Sequence, residues 1–442
     1  MSDALPLPPR PNLEQYRKLA KDLREACASG DGAIRDCTVR WVETLARLQG
    51  RELTPGVRQE IDRDAERVAR RWHKHRTSPA HPARCTLSDA QLFVARCHGF
   101  ASWPGFVRHV ESLSVTDSPI SNFEAAANAI VSGDIRLLAT LLHDRPGLVR
   151  ARSTREHRST LLHYVSANGI EDFRQKTPKN IVDITKLLLS AGADVHAESD
   201  AYGGRSTTLG LTATSWHPEH AGLQLPLMEL LIDHGAAIDG PDGGSAVNGC
   251  LHNGRGEAAG FFASRGARLD LEGAAGVGRL DVVKSFFNDD GSLRATATEQ
   301  QARDGFAWAC EFGRTAVVEF LLSNGVTIDA RLKHDGQTGL HWASYGGHAE
   351  TVDALLRRGA AVDAQDESYG GTPLGWALYA WGNMADHEVR KAGYCQVVVR
   401  LIRRGAQLDL PWYSDDDDRR RALAKARSDP RMQAALRGEE HP

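Results

Sequence analysis

Six side chains between residues 73 and 98 are of the types that hold zinc, namely His73, His75, His81, Cys85, Cys97 and His98. A structural zinc site needs ligands at recognised short spacings. This stretch has neither a CxxC nor an HxxxH pair, so no metal is expected and the cysteines read as small buried residues. The same region is basic: Arg67, Arg70, Arg71, Lys74 and Arg76 share one helix with Trp72. Such a face could follow nucleic-acid phosphates, but a solvated surface, or one docked on acidic residues elsewhere in the chain, explains the same charges and is the expectation. Further on, Asn248, His252, Asp270 and Glu272 could together hold a small molecule or act on one. Gly273 to Gly278, GAAGVG, has the glycines of a phosphate loop without a preceding strand or a following Lys-Ser/Thr. The acidic run Asp415 to Asp418 after Ser414 reads as the first turn of a helix, where negative charge suits the dipole, in preference to a metal site. No nucleophile, base and orienter series is present, so neither an enzyme nor a cofactor is expected.

The elements that would carry these residues recur. Trp308, Trp342 and Trp376 lie 34 residues apart, and Gly325 and Gly359 close a second helix at the same step. Asp335 to Ala364, DGQTGLHWASYGGHAETVDALLRRGAAVDA, contains two short amphipathic helical patterns broken at Gly346-Gly347. Neither is long enough to bury a core alone, so the unit must stack on copies of itself. The opening of the unit, Thr338-Gly339-Leu340-His341-Trp342-Ala343 and Thr372-Pro373-Leu374-Gly375-Trp376-Ala377, resembles the TPLHxA turn of the ankyrin repeat. That resemblance implies an all-α solenoid of helix-turn-helix units with β-hairpin turns, and a histidine, His341, that ties neighbouring loops. It also implies a protein partner bound on the concave side. The amino-terminal blocks PNLEQYRKLAKDLREA and LSDAQLFVARCHGFASWPGFVRHVESL resemble the helical segment that precedes such repeats in many bacterial proteins.

The chain is read as a helical domain over 1–113, a polar linker over 114–121, about eight repeat units over 122–410 and a capping helix with tail over 411–442. Asn12 is expected to cap the first helix, Ser88 with Gln91 to form a capping box before Leu92, and Ser102 to cap a helix with Pro104 in its first turn. Three stretches, 170–180, 216–226 and 381–394, exceed the repeat length and should project as loops. Between Gly249 and Gly273 the step shortens to about 24 residues, so the hairpin near 266–271 is missing. Down the tryptophan position run Tyr164, Leu211, Gly249, Gly273, Trp308, Trp342 and Trp376. The two glycines should leave a notch with Asn248 and Glu272 at its base. Tyr164, Asn248, Glu272, Trp308, Trp342 and Trp376 are therefore the candidate partner-binding residues, against the alternative that the tryptophans are ordinary core.

At 442 residues, 41% of them hydrophobic, and a net charge of -3, there is material for an extended core and no global field to recruit nucleic acid or membrane. No stretch approaches the roughly 20 apolar residues of a membrane span. Seven scattered cysteines suggest no secreted disulfide framework, so a monomer in a reducing cytoplasm is expected.

Overall fold

The computed structural model describes residues 3–77, 85–239, 245–331, 336–384, 388–408 and 417–440, and the chain divides into two compact units, 1–238 and 239–442. His81 and Ser414 lie outside the described residues. Among the described residues, no helix is long and apolar enough to cross a membrane.

The first unit begins with five helices, α1 (Leu13–Ser29), α2 (Asp31–Leu48), α3 (Pro55–Thr77), α4 (Leu87–Cys97) and α5 (Trp103–Leu113). Asn12 accepts from the Glu14 amide to start α1, and Ser102 accepts from the Gly105 amide to start α5. The box before α4 sits two residues earlier than the sequence suggested. Thr86 accepts from the Asp89 amide, and Asp89 in return accepts from the Thr86 amide. Tyr16, Leu23, Trp41, Val68, Trp72, Phe93 and Phe106 form the core of this bundle. Cys27 and Cys85 are disulfide-bonded, tying the end of α1 to the entry of α4, so Cys85 is not the simple buried thiol expected.

The basic face of α3 is turned toward acceptors of its own unit. Arg67 lies near Asp64, Asp3 and Asp172, Arg71 donates to the carbonyls of Asp3 and Arg96, and Arg76 is 3.5 Å from Asp89. Cys97 and His98 are fully buried, and the described residues contain no cluster of three metal-ligating side chains.

Paired helices follow within the same unit: α6 (Pro119–Ser132) with α7 (Ile135–Asp144), a 3-10 turn over Leu161–Ser166 with α8 (Ile181–Ser190), and α9 (Thr208–Thr214), α10 (Trp216–His220) and α11 (Gln224–Asp233). A two-residue ladder, β1 (Glu198–Ser199) with β2 (Ser206–Thr207), and an isolated bridge between Arg152 and Thr160 stand where hairpins would. His163 fixes one such loop to the next. Its Nδ1 accepts from the Thr160 amide, which leaves Nε2–H to donate to the Ser206 carbonyl.

The 170–180 stretch does not project; it is drawn inward by charge. Glu171 and Arg174 are buried with Arg155 and Glu124 in a four-charge cluster. Glu171 Oε1 accepts from Arg155 Nε, Arg174 Nη1 and the Tyr164 hydroxyl, while Glu124 Oε2 accepts from Arg155 and Arg174 at 3.0 and 2.8 Å. Burial alone would raise both carboxyls. The two guanidiniums outweigh it and hold Glu171 well below the usual carboxylate range and Glu124 below it. The 216–226 stretch does place a side chain outside: Trp216 is half exposed and stacks on His220.

The second unit stacks five helix pairs: α12 (Ala246–His252) and α13 (Gly256–Ser264), α14 (Leu271–Val277) and α15 (Leu280–Lys284), α16 (Glu299–Glu311) and α17 (Thr315–Ser323), α18 (Gly339–Gly346) and α19 (Ala349–Arg357), α20 (Pro373–Met384) and α21 (Glu388–Arg403). Two short helices close it, α22 (Asp417–Ser428) and α23 (Pro430–Leu436), burying Ala422, Ala426, Met432 and Ala435. Val317, Val318, Leu321, Val352, Leu355, Val397, Val398 and Leu401, on the second helix of successive pairs, are all essentially inaccessible. Burial of each such side chain contributes about 1.5–3 kcal/mol.

His341 repeats the His163 arrangement, with Nδ1 accepting from the Thr338 amide and Nε2 donating to the Gly371 carbonyl of the next loop. Gly346 lets α18 pass over the end of α16, since a Cβ there would fall 2.1 Å from the Glu311 carbonyl oxygen. The 381–394 stretch extends α20 and precedes the middle of α21, with Trp381 and Tyr394 buried and the Tyr394 hydroxyl donating to the Tyr345 carbonyl. Only residues 265–270 join α13 to α14, whereas 324–338 and 358–372 join the later pairs.

Candidate functional site

The first helices of four pairs in the second unit carry a continuous row of rings. His252 on α12 is 5.2 Å from Trp308 on α16, Trp308 is 5.9 Å from Trp342 on α18, and Trp342 is 5.6 Å from Trp376 on α20. Tyr345, one turn beyond Trp342, closes against both Trp342 and Trp376 at 6.1 and 5.6 Å. The repeat step places the tryptophans on one face, and the fixed rise between stacked pairs sets their separation. All three are partly buried: their faces cover one another and their remaining surface is left uncovered by the described chain.

Two of the three indoles are anchored by carboxylates. Trp308 Nε1 donates to Glu272 Oε1 at 2.9 Å, and Trp376 Nε1 donates to Asp366 Oδ2 at 3.0 Å. Trp342 Nε1 is buried without a partner. Glu272 Oε1 also bonds His252 Nε2 at 2.7 Å. That bond raises the His252 pKa against the opposing effect of partial burial, with Asp304 and Asp270 adding to it.

Asn248 does sit beside Glu272's helix, but it does not floor an open notch. Its Nδ2 donates to Asp270 Oδ2, and its Oδ1 lies 2.7 Å from where a Gly273 Cβ would stand, so Gly273 makes room for Asn248. The notch is open only at Gly249, which has nothing within 4 Å. GAAGVG falls inside and at the end of helix α14, with Asp270 capping the Gly273 amide. Tyr164 is not part of the row. It lies in the first unit, fully buried, with its hydroxyl committed to Glu171, and so offers no surface to a partner.

Residues not singled out by the sequence complete the face. Glu311, Tyr345 and Tyr379 each follow a ladder tryptophan by three residues, and Asp304 precedes Trp308 by four. Both spacings return to the same side of a helix, which is the signal that could have found them. Glu311 is 8% exposed, its Oε2 has no partner, and burial pushes its carboxyl up to about 8. Replacing it by glutamine removes the need to bury an ionised group. Glu311→Gln should therefore stabilise the second unit by ~1–3 kcal/mol at pH 8, read as slower amide exchange in α16 and α18, with little change at pH 5. Equal exchange at pH 8 would show that Glu311 is already charged and solvated.

The polar group around Glu272 is an open arrangement, since 53% of the His252 side chain is exposed. It lacks the enclosure that a catalytic acid–base pair uses to control protonation and exclude water.

Comparison with known proteins finds similarity over part of the chain. A family model described as ankyrin repeats (3 copies) matches residues 271–366 and 306–410. The 26S proteasome non-ATPase regulatory subunit 10 of Rattus norvegicus is 44% identical over 54 residues, 12% of this chain and 23% of its own length. The Mus musculus protein of the same name is 46% identical over 52 residues, and that of Homo sapiens 44% over 52. The chain thus spans less than a quarter of the length of these relatives. The family match supports a protein-interaction role in general. The chain carries ankyrin repeats at residues 271–410, in an all-α repeat fold with a helical region ahead of them.

Proposed function

We propose that the chain is a non-enzymatic scaffold whose second unit binds a protein partner through the ladder face, the concave side of its repeats. The observation that carries this reading is the row of rings from His252 through Trp308 and Trp342 to Trp376, partly uncovered and held in place by Glu272 and Asp366. Large rigid rings give much contact area for little loss of side-chain entropy, which makes them effective anchors. The stacking that keeps them fixed also means that a partner need not order them on arrival. In this reading residues 1–113 are a helical domain ahead of about eight repeat units over 122–410, residues 411–442 close the array, and the chain works as a cytoplasmic monomer.

The test is an affinity capture from cell extract with the full chain, repeated with Trp308→Ala and Trp376→Ala together. The partner recovered by the parent chain should fall at least tenfold in yield with the double variant while melting shifts by only a few degrees. Undiminished recovery would remove the ladder from the function.

A further inference from the structure

We propose that the ladder face takes an extended segment bearing an arginine followed at alternate positions by apolar side chains, with the guanidinium seated at the uncovered edge of Trp308 between Glu272 and Asp304. The inference rests on the ladder reading and adds the chemistry of the partner.

Two carboxyl groups lie beside Trp308: Asp304 one turn before it on α16, and Glu272 of α14, which accepts its indole N–H. The site already holds one basic side chain of the chain's own. His252 lies 5.2 Å from the Trp308 ring, bonds Glu272, and the charges acting on it are those of Glu272, Asp304 and Asp270. A planar guanidinium fits such surroundings better than an ammonium, because it can lie against the uncovered part of the indole while its N–H groups reach both carboxylates. Beyond this acidic end the face is aromatic, with Trp342 and Trp376 following at steps of 5.9 and 5.6 Å. In an extended chain side chains on one side repeat about every 6.6 Å, close to that step, so apolar residues at alternate positions would meet successive rings.

The probe is a fluorescein-labelled heptapeptide with arginine second, leucine fourth and sixth, and glycine or serine elsewhere, titrated into the full chain by anisotropy. A control peptide has glutamate in place of the arginine. The arginine peptide should bind at least tenfold more tightly than the glutamate peptide. Asp304→Asn, at a partly exposed position, should weaken it about tenfold without lowering the melting temperature, and His252→Asn should tighten it about threefold by freeing Glu272 from its imidazole partner. Glutamate-peptide binding of equal strength, or an affinity untouched by Asp304→Asn, overturns the proposal. If the arginine peptide fails to bind while capture of a cellular partner still depends on Trp308 and Trp376, the cationic partner is wrong and the ladder stands. If capture is also indifferent to those tryptophans, both readings fall.

Discussion

Glu171→Gln in the full-length chain should lower the unfolding free energy of the first unit by about 3–5 kcal/mol, the usual consequence of removing one member of a buried ion pair. The substitution keeps the shape of the side chain and deletes only its charge. Arg155 and Arg174 would then share Glu124 alone, leaving an excess positive charge among side chains that are 3% and 4% exposed. The Tyr164 hydroxyl, which donates to Glu171 Oε1, is left with a weaker amide oxygen in place of a carboxylate. Water cannot reach the cluster cheaply, so none of these losses is repaired by solvent.

Urea unfolding followed by amide exchange of peptides from 120–190 would measure the change. The companion variant, Arg155→Met with Glu171→Leu, removes one charge of each sign. It should recover at least half of the loss, because Arg174 still pairs with Glu124 at 2.8 Å. A Glu171→Gln protein within 1 kcal/mol of the parent would mean that the cluster is hydrated and is not a determinant of this unit.

The contrast between this cluster and the ladder shows what a sequence can reveal. Trp308, Trp342 and Trp376 were legible because one period governs both their spacing and their position on the helix. His252 and Glu272 were visible as polar residues near the irregular step, but their meeting with Trp308 depends on how α12, α14 and α16 stack. Glu171 and Arg174 pair with Arg155 and Glu124, which are distant in sequence and follow no period, so the 170–180 stretch read as a surface loop. Tyr164 shows the limit of alignment by register. It holds the position of the tryptophans in its own unit, yet the charges drawn in beside it make it core. By its residue type Gly273 signals only an absence of bulk, whereas the space is taken by Asn248 from the preceding pair. Local signals such as Asn12 and Ser102 survived because a cap involves only the next few residues, and the shift from Ser88 to Thr86 is within what two competing hydroxyl and carboxyl pairs allow.

Acid should weaken the first unit from pH 6.5 downward, well before carboxylates titrate, and, beside the likewise buried His163, two of the causes are His98 and His109. Both are buried and neutral. His98 Nδ1 donates to the Leu5 carbonyl at 2.9 Å, His109 Nδ1 meets Thr154 Oγ1 at 2.8 Å, and the Nε2 of each ring is enclosed with no partner. Protonation would place an N–H with full charge where nothing can accept it. Burial accordingly lowers His98 to about 3 and His109 to about 4. The unfolded chain takes up protons on these rings below its ordinary pKa near 6.5 and the folded chain does not, so their contribution is intact above pH 6.5 and declines as pH falls toward 4. Between pH 7 and pH 5 the loss is about 2 kcal/mol for each ring, or about 4 for the pair. Glu311 acts in the opposite sense on the second unit. Its carboxyl is raised in the folded state, so its contribution is complete below pH 4.5 and is lost as pH climbs toward 8. The order in which the two units open should therefore shift between pH 5 and pH 8, toward earlier opening of the first in acid and of the second in base. Amide exchange resolved by peptide gives that order directly, and histidine Cε1 resonances give its cause: His98 and His109 should not titrate above pH 5, whereas His252, supported by Glu272, should titrate above 6.5. A His98 resonance with a midpoint near 6.5 would mean that its ring reaches water, and the acid sensitivity of the first unit would then lose the share assigned to that ring.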